Sequence, residues 1–272
     1  MATERISPST SWLTEVLRHS YARAQALREL GLAYWRARSE RRSTPPSWTA
    51  QMRRPAPLHV IAEVKRRAPS AGTLQAEADA EAIARSYQAA GASAVSVLTE
   101  PLYFSGTMDD LRRVAGAVSI PVLRKDFLVD PLQVVEAACA GASAVLVIGR
   151  LLDAPTLRRV LEMARAMRVD VLYEVFTADE ARRGLDMGCR CIGINNRDLE
   201  TLAVDPWHAL RVYGQVEWPE DAVVVVESGL EAPDVLRRYT AEGLRHFLVG
   251  SAFMRSDRPG DVLRTWLQAW GA

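Results

Sequence analysis

The sequence predicts an α/β fold, a (β/α)8 TIM barrel with an extra N-terminal helical segment. From about residue 58 onward, eight short β-branched runs alternate with amphipathic helical stretches. Each run is apolar almost throughout, as parallel strands with both faces covered tend to be. Eight such strands favour a closed barrel. The predicted strands are 58–65, 93–100, 120–126, 143–149, 170–176, 190–196, 222–229 and 245–251.

The alternative topology is an open, doubly wound parallel sheet. A dinucleotide-binding sheet of that kind needs G-x-G-x-x-G after its first strand, whereas KRRAPSAG follows Val64. Between the strands, Pro155 indicates a helix start and a glycine precedes several strands. Those glycines are Gly91, Gly141, Gly188 and Gly243. We therefore expect one domain overall, with the catalytic barrel over 58–272.

The first 57 residues differ from the rest in pattern. We expect a helix over 11–30 with Thr10 or Ser11 as its N-cap, followed by an Arg- and Pro-rich stretch through Pro57. The helix carries an apolar stripe that has to be buried. The stripe consists of Trp12, Leu13, Val16 and Leu17. The sequence therefore predicts that 1–57 is a helical extension packing across one mouth of the barrel.

The composition excludes several classes of protein. The chain has 272 residues, of which 49% are hydrophobic and 25% charged, which is ordinary for one large soluble domain. A net charge of +1 argues against a nucleic-acid partner. The N-terminal MATERISPSTSW has no apolar run, and no stretch approaches the length of a membrane span. We expect a cytoplasmic protein without a membrane partner, with a monomer favoured as its oligomeric state.

Cysteines and histidines predict neither disulfides nor a metal centre. Three cysteines cannot form an even disulfide framework, and Cys189 and Cys191 make a lone C-x-C without a second pair. The four histidines are scattered without ligand spacing. We therefore expect no metal and no organic cofactor, and we interpret the cysteines as structural thiols.

Lysine occurs only twice in this chain, as Lys65 and Lys125, although lysine and arginine together number 34. Each lysine lies at the carboxyl end of a predicted strand, where barrel enzymes carry their chemistry. A guanidinium stays protonated at any workable pH, whereas an ammonium can release a proton once burial or a neighbouring cation lowers its pKa. Lysine retained at these two positions indicates proton transfer or imine chemistry.

Other polar residues end the predicted strands and should meet at the same mouth. A charge inside an apolar strand is costly unless it is paired or used. Ser228-Gly229 after the seventh strand and Gly250-Ser251 after the eighth offer backbone N–H groups to an anion. We therefore expect a small phosphorylated substrate. The remaining polar strand ends are Glu63, Asp126, Glu174, Asn195, Asn196, Arg197 and Glu227.

A set of sequence motifs resembles the indole-3-glycerol-phosphate synthase family. The similarity runs from about residue 58 to 256 and extends faintly into the first 57 residues through SWLTEVL. IPVLRKDF and IGINNRDL are quite specific to this family, whereas VGSAFM is shared more loosely among phosphate-binding barrels. The matching stretches are VIAEVKRRAPS, SVLTEPLYFSGTMDDL, IPVLRKDF, IGINNRDLETL, VVESGL and FLVGSAFMR.

The resemblance implies a substrate and a set of roles. The substrate is a phosphorylated ribulose derivative of anthranilate, which cyclises with loss of carbon dioxide and water in tryptophan biosynthesis. Lys125 matches the general acid and Glu174 the base that assists dehydration. Lys65, held by Glu63, binds charge and shares the acid role, and which lysine is the principal acid stays open. Asn195 orients the reacting hydroxyl, and Glu227 and Ser228 complete the pocket.

The resemblance also divides the pocket into two ends. Gly229, Gly250 and Ser251 would bind the phosphate, with Arg197 in support. An apolar slot would hold the anthranilate ring. The residues of this slot are Trp12, Pro69, Phe104, Phe127, Leu146 and Leu199.

The chain departs from the family pattern in two places. Ala68 stands where serine is usual, and Phe176 and Thr177 stand where a histidine and an acid are usual. These departures leave room for a paralogue in a specialised pathway. A phosphoribosylanthranilate isomerase is the enzymatic alternative, but that activity requires Cys or Asp at the first strand end and a late Asp. A barrel that binds ligand without turnover is the non-catalytic alternative.

Overall fold

Eight parallel strands close into a barrel in the computed structural model, which describes residues 11–40 and 42–270. The order around the barrel is β1-β4-β5-β6-β7-β8-β9-β10, and His59 of β1 pairs with His246 of β10 to close it. The predicted fold class is confirmed, and each strand lies within its predicted run. The strands are β1 His59–Val64, β4 Ala94–Leu98, β5 Val122–Lys125, β6 Ala144–Ile148, β7 Asp170–Val175, β8 Cys191–Asn195, β9 Val223–Glu227 and β10 His246–Val249.

A short antiparallel hairpin lies outside the barrel. Its strands β2 (Arg67–Ala68) and β3 (Gly72–Thr73) follow β1 directly. The strand pattern of the sequence does not predict this hairpin, because two-residue strands carry no periodicity. It extends beyond the carboxyl end of β1 and brings Pro69 and Ser70 over the barrel mouth.

Helices surround the barrel, and several begin at side chains that accept backbone N–H bonds. Thr107, Asp130 and Thr177 each form a capping box. The helices are α1 Trp12–Glu29, α2 Gly31–Glu40, α3 Trp48–Met52, α4 Ala80–Ala90, α5 Pro101–Phe104, α6 Met108–Ala117, α7 Pro131–Cys139, α8 Ala154–Ala166, α9 Ala178–Asp186, α10 His208–Tyr213, α11 Pro233–Ala241, α12 Ser251–Met254 and α13 Pro259–Gln268. No helix among these described residues is long and apolar enough to cross a membrane.

The helix α1 lies across the carboxyl mouth of the barrel. Ser11 is its N-cap, accepting a hydrogen bond from Thr14 N, whereas Thr10 lies outside the described residues. The Trp12 ring packs edge-on against Tyr103 and Phe127, with centroid distances of 5.8 and 5.9 Å. Because Tyr103 and Phe127 follow the carboxyl ends of β4 and β5, the apolar stripe of α1 is buried against that mouth.

The amino end of the barrel is filled by α3. The Trp48 side chain is fully buried among the inward-facing strand residues, and its Nε1 donates to Cys191 Sγ over 3.4 Å. The backbone N and Oγ1 of Thr49 donate to the Asp170 carboxylate at the start of β7. The stretch expected only to be rich in Arg and Pro therefore contains α2 and α3, because Trp48 and Met52 provide an apolar face that composition alone conceals. The division at residue 57 stays a prediction.

Replacing Trp48 should destabilise the whole barrel, because its ring fills the end of the interior. Trp48→Ala should lower the free energy of unfolding by about 3–5 kcal/mol. The measurement is equilibrium unfolding in urea. The half-buried Trp218 serves as a control, and Trp218→Ala should lose less than half as much. Equal losses in the two variants would contradict the plugging role of α3.

Candidate active site

A cleft opens at the carboxyl ends of the barrel strands and encloses about 950 Å³, open solvent at its mouth included. Every residue that the sequence assigned to the site lines this cleft. The structure therefore places all of these residues in one cleft, while their individual roles stay predictions. The residues are Glu63, Lys65, Lys125, Glu174, Asn195, Glu227, Ser228, Gly229, Gly250, Ser251, Arg197, Trp12, Pro69, Phe104, Phe127, Leu146 and Leu199.

Both lysines face carboxylates in this cleft. Lys125 ends β5, and its Nζ lies 3.6 Å from Glu174 Oε2 and 3.7 Å from Glu227 Oε2. Lys65 follows β1, and its Nζ lies 2.7 Å from Glu63 Oε2. The barrel therefore assembles two ammonium groups and three carboxyl groups from four strand ends.

The pKa of Lys125 is shifted in the opposite direction from the one that the sequence suggested. Burial lowers it, but the neighbouring Glu174, Glu227 and Glu63 together raise it above the usual value for lysine. The expected lowering was wrong because it considered burial and cations, whereas carboxylates of neighbouring strands surround this amine. Lys125 is therefore an ammonium with its proton in place.

The carboxyl group of Glu227 is the uncharged partner in this cluster. Burial and the neighbouring Glu174 raise the pKa of Glu227 to about 8, although Lys125 opposes the shift. Neither of its oxygens has a hydrogen-bond partner among the described residues, and Glu174 Oε2 also lacks one. A proton on Glu227 therefore relieves the repulsion between the two carboxylates and supplies a donor towards Glu174.

A glycine on the strand between them makes room for Glu227. Gly193 lies on β8, paired with Glu174 on β7 and with Val225 on β9. A Cβ at this position would lie 2.1 Å from Glu227 Oε1. Gly250 plays the same part for Glu63, since a Cβ there would lie 2.3 Å from Glu63 Oε2. The sequence pattern predicted a role for Gly250 at the phosphate only, and it did not predict the role of Gly193.

Asn195 fixes the orientation of Glu174. Its Nδ2 donates to Glu174 Oε1 over 2.9 Å, and its Oδ1 accepts from the backbone N of Arg197 over 2.9 Å. One oxygen of Glu174 is therefore held by Asn195 while the other faces Lys125. Asn195 was expected to orient the substrate, and its contacts here are with the protein.

The charge of Glu63 is maintained by the two lysines. Burial alone would raise the pKa of Glu63, but Lys65 and Lys125 hold it below the usual value. Glu63 is therefore ionised, and it forms an ion pair with Lys65. This pairing agrees with the expectation that Glu63 holds Lys65 in place.

The backbone turns sharply at the end proposed for phosphate. Ser228 and Gly229 have φ values of 65° and 71°, so both lie in the left-handed region. A non-glycine residue in this region is uncommon, and such residues cluster at active sites and ligand-binding turns. The buried Asn196 supports this turn, because its Nδ2 donates to Ser228 O over 3.0 Å. Arg197 donates to Leu202 O over 2.7 Å and thereby fixes the adjoining loop.

The opposite end of the cleft is apolar and aromatic. Phe104 packs against Phe127 with a centroid distance of 6.2 Å, and Leu146 and Leu199 complete this wall. Several lining residues were missed, since they are apolar strand residues or loop residues without a motif. Leu146 and Ile148 are two residues apart in β6 and therefore face the same side of the strand, so Ile148 could have been predicted from Leu146. The missed residues are Ala68, Ser70, Leu98, Ile148, Leu202, Leu230, Glu231, Leu248, Val249 and Ala252. Of the other polar strand ends expected at this mouth, Asp126 lines the cleft and Asn196 does not.

Asp126 anchors the segment that follows Lys125. Burial would raise the pKa of Asp126, but the guanidinium groups of Arg124 and Arg23 lower it to about 2. Thr99 Oγ1 also donates to Asp126 over 2.6 Å. Arg23 belongs to α1, so the leader helix is bonded directly to the residue beside Lys125.

A closed parallel barrel with a lysine–carboxylate cluster and a left-handed turn at its carboxyl mouth has the architecture of a TIM-barrel enzyme. The family model described as indole-3-glycerol phosphate synthase matches residues 14–265. This chain belongs to the indole-3-glycerol phosphate synthase family, as its motifs predicted.

Relatives of the same name cover most of the chain. The indole-3-glycerol phosphate synthase of Leptothrix cholodnii is 41% identical over 243 residues, 88% of this chain and 92% of the relative. That of Parafrankia sp. is 44% identical over 232 residues, 85% of each. The enzyme of Bacteroides thetaiotaomicron is 41% identical over 213 residues, 77% of this chain and 80% of the relative.

Solved structures share the fold at much lower identity. KGPDC from Streptococcus mutans superposes with a TM-score of 0.64 at 14% identity, covering 79% of this chain and 98% of that one. The 3-hexulose-6-phosphate synthase from Salmonella typhimurium gives 0.62 at 14% identity, covering 78% and 98%. These likenesses show the barrel fold alone.

The raised pKa of Glu227 should appear in the pH dependence of stability. Since the folded carboxyl titrates near 8 and the unfolded one near 4.5, folding binds a proton between these values, and stability falls as pH rises through that window. Glu227→Gln should remove this contribution. The difference in unfolding free energy between the two proteins should change by about 1.4 kcal/mol per pH unit from pH 6 to 8 and level off above. A constant difference would show that Glu227 has an ordinary pKa.

Gly193→Ala should displace the Glu227 carboxyl group from Lys125 and Glu174. The overpacking should cost about 1–3 kcal/mol of stability, and kcat should fall at least tenfold. Gly116→Ala is the matched control, because a Cβ at Gly116 in α6 meets nothing within 4 Å. That variant should keep full activity and gain slight stability. Full activity in Gly193→Ala would show that the position of Glu227 does not affect the reaction.

Proposed function

We propose that this chain closes the indole ring of 1-(2-carboxyphenylamino)-1-deoxyribulose 5-phosphate and releases carbon dioxide and water. It would be a carbon–carbon lyase of the carboxy-lyase type, acting in tryptophan biosynthesis. The observation that carries the proposal is Lys125 Nζ beside Glu174 and Glu227, in a cleft with an apolar slot at one end and an anion-binding turn at the other. Family membership supports the same activity.

The two ends of the cleft orient the substrate. Its phosphate would accept backbone N–H bonds at Ser228-Gly229 and Gly250-Ser251, where left-handed backbone and small residues permit close approach. Its anthranilate ring would lie against Phe104 and Phe127. The ribulose carbons then span the cleft beside Lys125, which places the reacting atoms next to the charged cluster.

Ring closure requires a proton donor. As the ring carbon that carries the carboxylate attacks the ribulose keto carbon, the keto oxygen takes a proton from the Lys125 ammonium and becomes a hydroxyl. The bond to the carboxylate then breaks, carbon dioxide leaves and its electron pair restores the aromatic ring. A developing alkoxide is a strong base, so an ammonium with a raised pKa still donates to it.

Dehydration then requires an acid and a base on opposite sides. The hydroxyl leaves as water after protonation by an ammonium, and Glu174 removes a proton from the adjacent carbon, which came from ribulose C1. Asn195 keeps the Glu174 carboxylate oriented throughout. Lys65 is held beside the cleft by its ion pair with Glu63, so it fits the second protonation, while Lys125 fits the first.

Several features expected from the sequence stay predictions. They are a cytoplasmic location, a monomeric state, the absence of nucleic-acid and membrane partners, and a reaction without metal or organic cofactor. The assay for the proposed function therefore omits added metal and cofactor.

The proposed function predicts indole fluorescence when purified protein is given the anthranilate–ribulose phosphate. Lys125→Arg keeps the positive charge but removes the releasable proton, so kcat should fall by about 10²–10⁴. Lys65→Arg is the matched comparison, with a smaller loss in ring closure. Circular dichroism and phosphate binding check that both variants fold. Near wild-type turnover in Lys125→Arg would exclude it as the acid, and no product from the unmodified protein would overturn the function.

A further inference from the structure

Glu231 lies at the phosphate end of the cleft but has no part in the proposed reaction. It comes two residues after Gly229 and lines the cleft. Its carboxylate forms an ion pair with Arg255. Arg255 follows α12, which begins at Ser251, so the ion pair connects the two backbone turns proposed to hold the phosphate.

The charge of Glu231 also acts on Arg197, an arginine that lines the cleft. Burial lowers the pKa of Arg197, and Glu231 is the principal group that opposes this change. The carboxylate therefore lies within the field of two guanidinium groups, at the end where a phosphate dianion would have to bind. Two anions in this small space repel each other unless a cation is shared between them.

The ion pair is free to change partner. About half of each side chain is exposed, 51% for Glu231 and 54% for Arg255, in contrast to the buried pair of Lys65 and Glu63. Half-exposed pairs contribute little to stability, so exchanging one anion for another costs little. A phosphate that enters beside Ser228-Gly229 would lie at the same end of the cleft as Glu231, the partner of Arg255.

We propose that Glu231 and Arg255 form a charge gate at the phosphate end of the cleft. Glu231 holds Arg255 in an ion pair; when a phosphorylated ligand binds, Arg255 turns towards the phosphate, and Glu231 weakens the binding of every phosphorylated ligand. The gate thus sets the affinity for phosphorylated substrate and favours release of phosphorylated product. This inference rests on the proposed function for the placement of the phosphate.

The test measures inorganic phosphate as a competitive inhibitor of ring closure and by calorimetry. Glu231→Gln removes the repulsion, so the phosphate dissociation constant and the substrate KM should both fall about three- to fivefold. Arg255→Gln leaves Glu231 unpaired, so both constants should rise about tenfold, and Arg255→Lys should recover part of the loss. The double variant should lie between the two single ones.

Three controls separate the gate from a merely structural tether. Asp221→Asn makes the same charge change at a side chain that is 53% exposed, but at the amino end of the barrel, and should leave phosphate binding unchanged. Anthranilate, which lacks a phosphate, should bind Glu231→Gln and the unmodified protein equally. The effect of Glu231→Gln should shrink at high ionic strength, because exposed charges are screened.

The outcomes distinguish this inference from the proposed function. If the unmodified protein closes the ring but Glu231→Gln changes only thermal stability, the charge gate is wrong and the function stands. If the unmodified protein binds phosphate with the predicted variant pattern but makes no indole product, the gate stands and the function is wrong. Failure of inorganic phosphate to bind at all would contradict the gate.

Discussion

The ammonium of Lys125 between Glu174 and Glu227 is the interaction on which the rest of the site depends. The three neighbouring carboxyl groups raise the pKa of the Lys125 ammonium above the usual value for lysine. The pKa of Glu227 is also raised, so Glu227 carries a proton of its own. Lys125 and Glu227 therefore both carry protons at the bottom of the cleft, and the positive and negative charges of the cluster balance. Gly193 and Asn195 serve this arrangement, one by leaving space for Glu227 and the other by holding Glu174.

Such a cluster is tolerated because the barrel beneath it is continuous and apolar. Burying an ionised group costs several kcal/mol unless the group is paired in good geometry. The residues around each pair therefore have to hold it in place. The interior from Leu172 and Leu248 down to Trp48 is filled by apolar side chains. The barrel therefore separates two tasks: its amino end and middle provide stability, and its carboxyl end carries strain and charge.

Much of this arrangement could be predicted from the sequence, since period and position decide it. Continuous apolar runs indicate the parallel strands, and the carboxyl-end rule brings Lys65, Lys125 and Glu174 together. The direction of the Lys125 pKa shift could not be predicted, because it depends on distances of 3.6–3.7 Å between different strands. Gly193 was missed because the space that it leaves for Glu227 is a contact between different strands. Glu231 was missed because it lies in a loop outside the strand pattern.

The N-terminal helix α1 forms part of the site as well as covering it. Ser20 Oγ donates to Phe127 O over 2.5 Å, and Arg23 binds Asp126 over 3.0 Å, so α1 holds the two residues that directly follow Lys125. Trp12 of the same helix forms part of the aromatic wall. A shift of α1 would therefore move the ring slot and the segment after Lys125 together. The aromatic wall of the cleft and the position of Lys125 are therefore linked through one helix that lies outside the barrel strands.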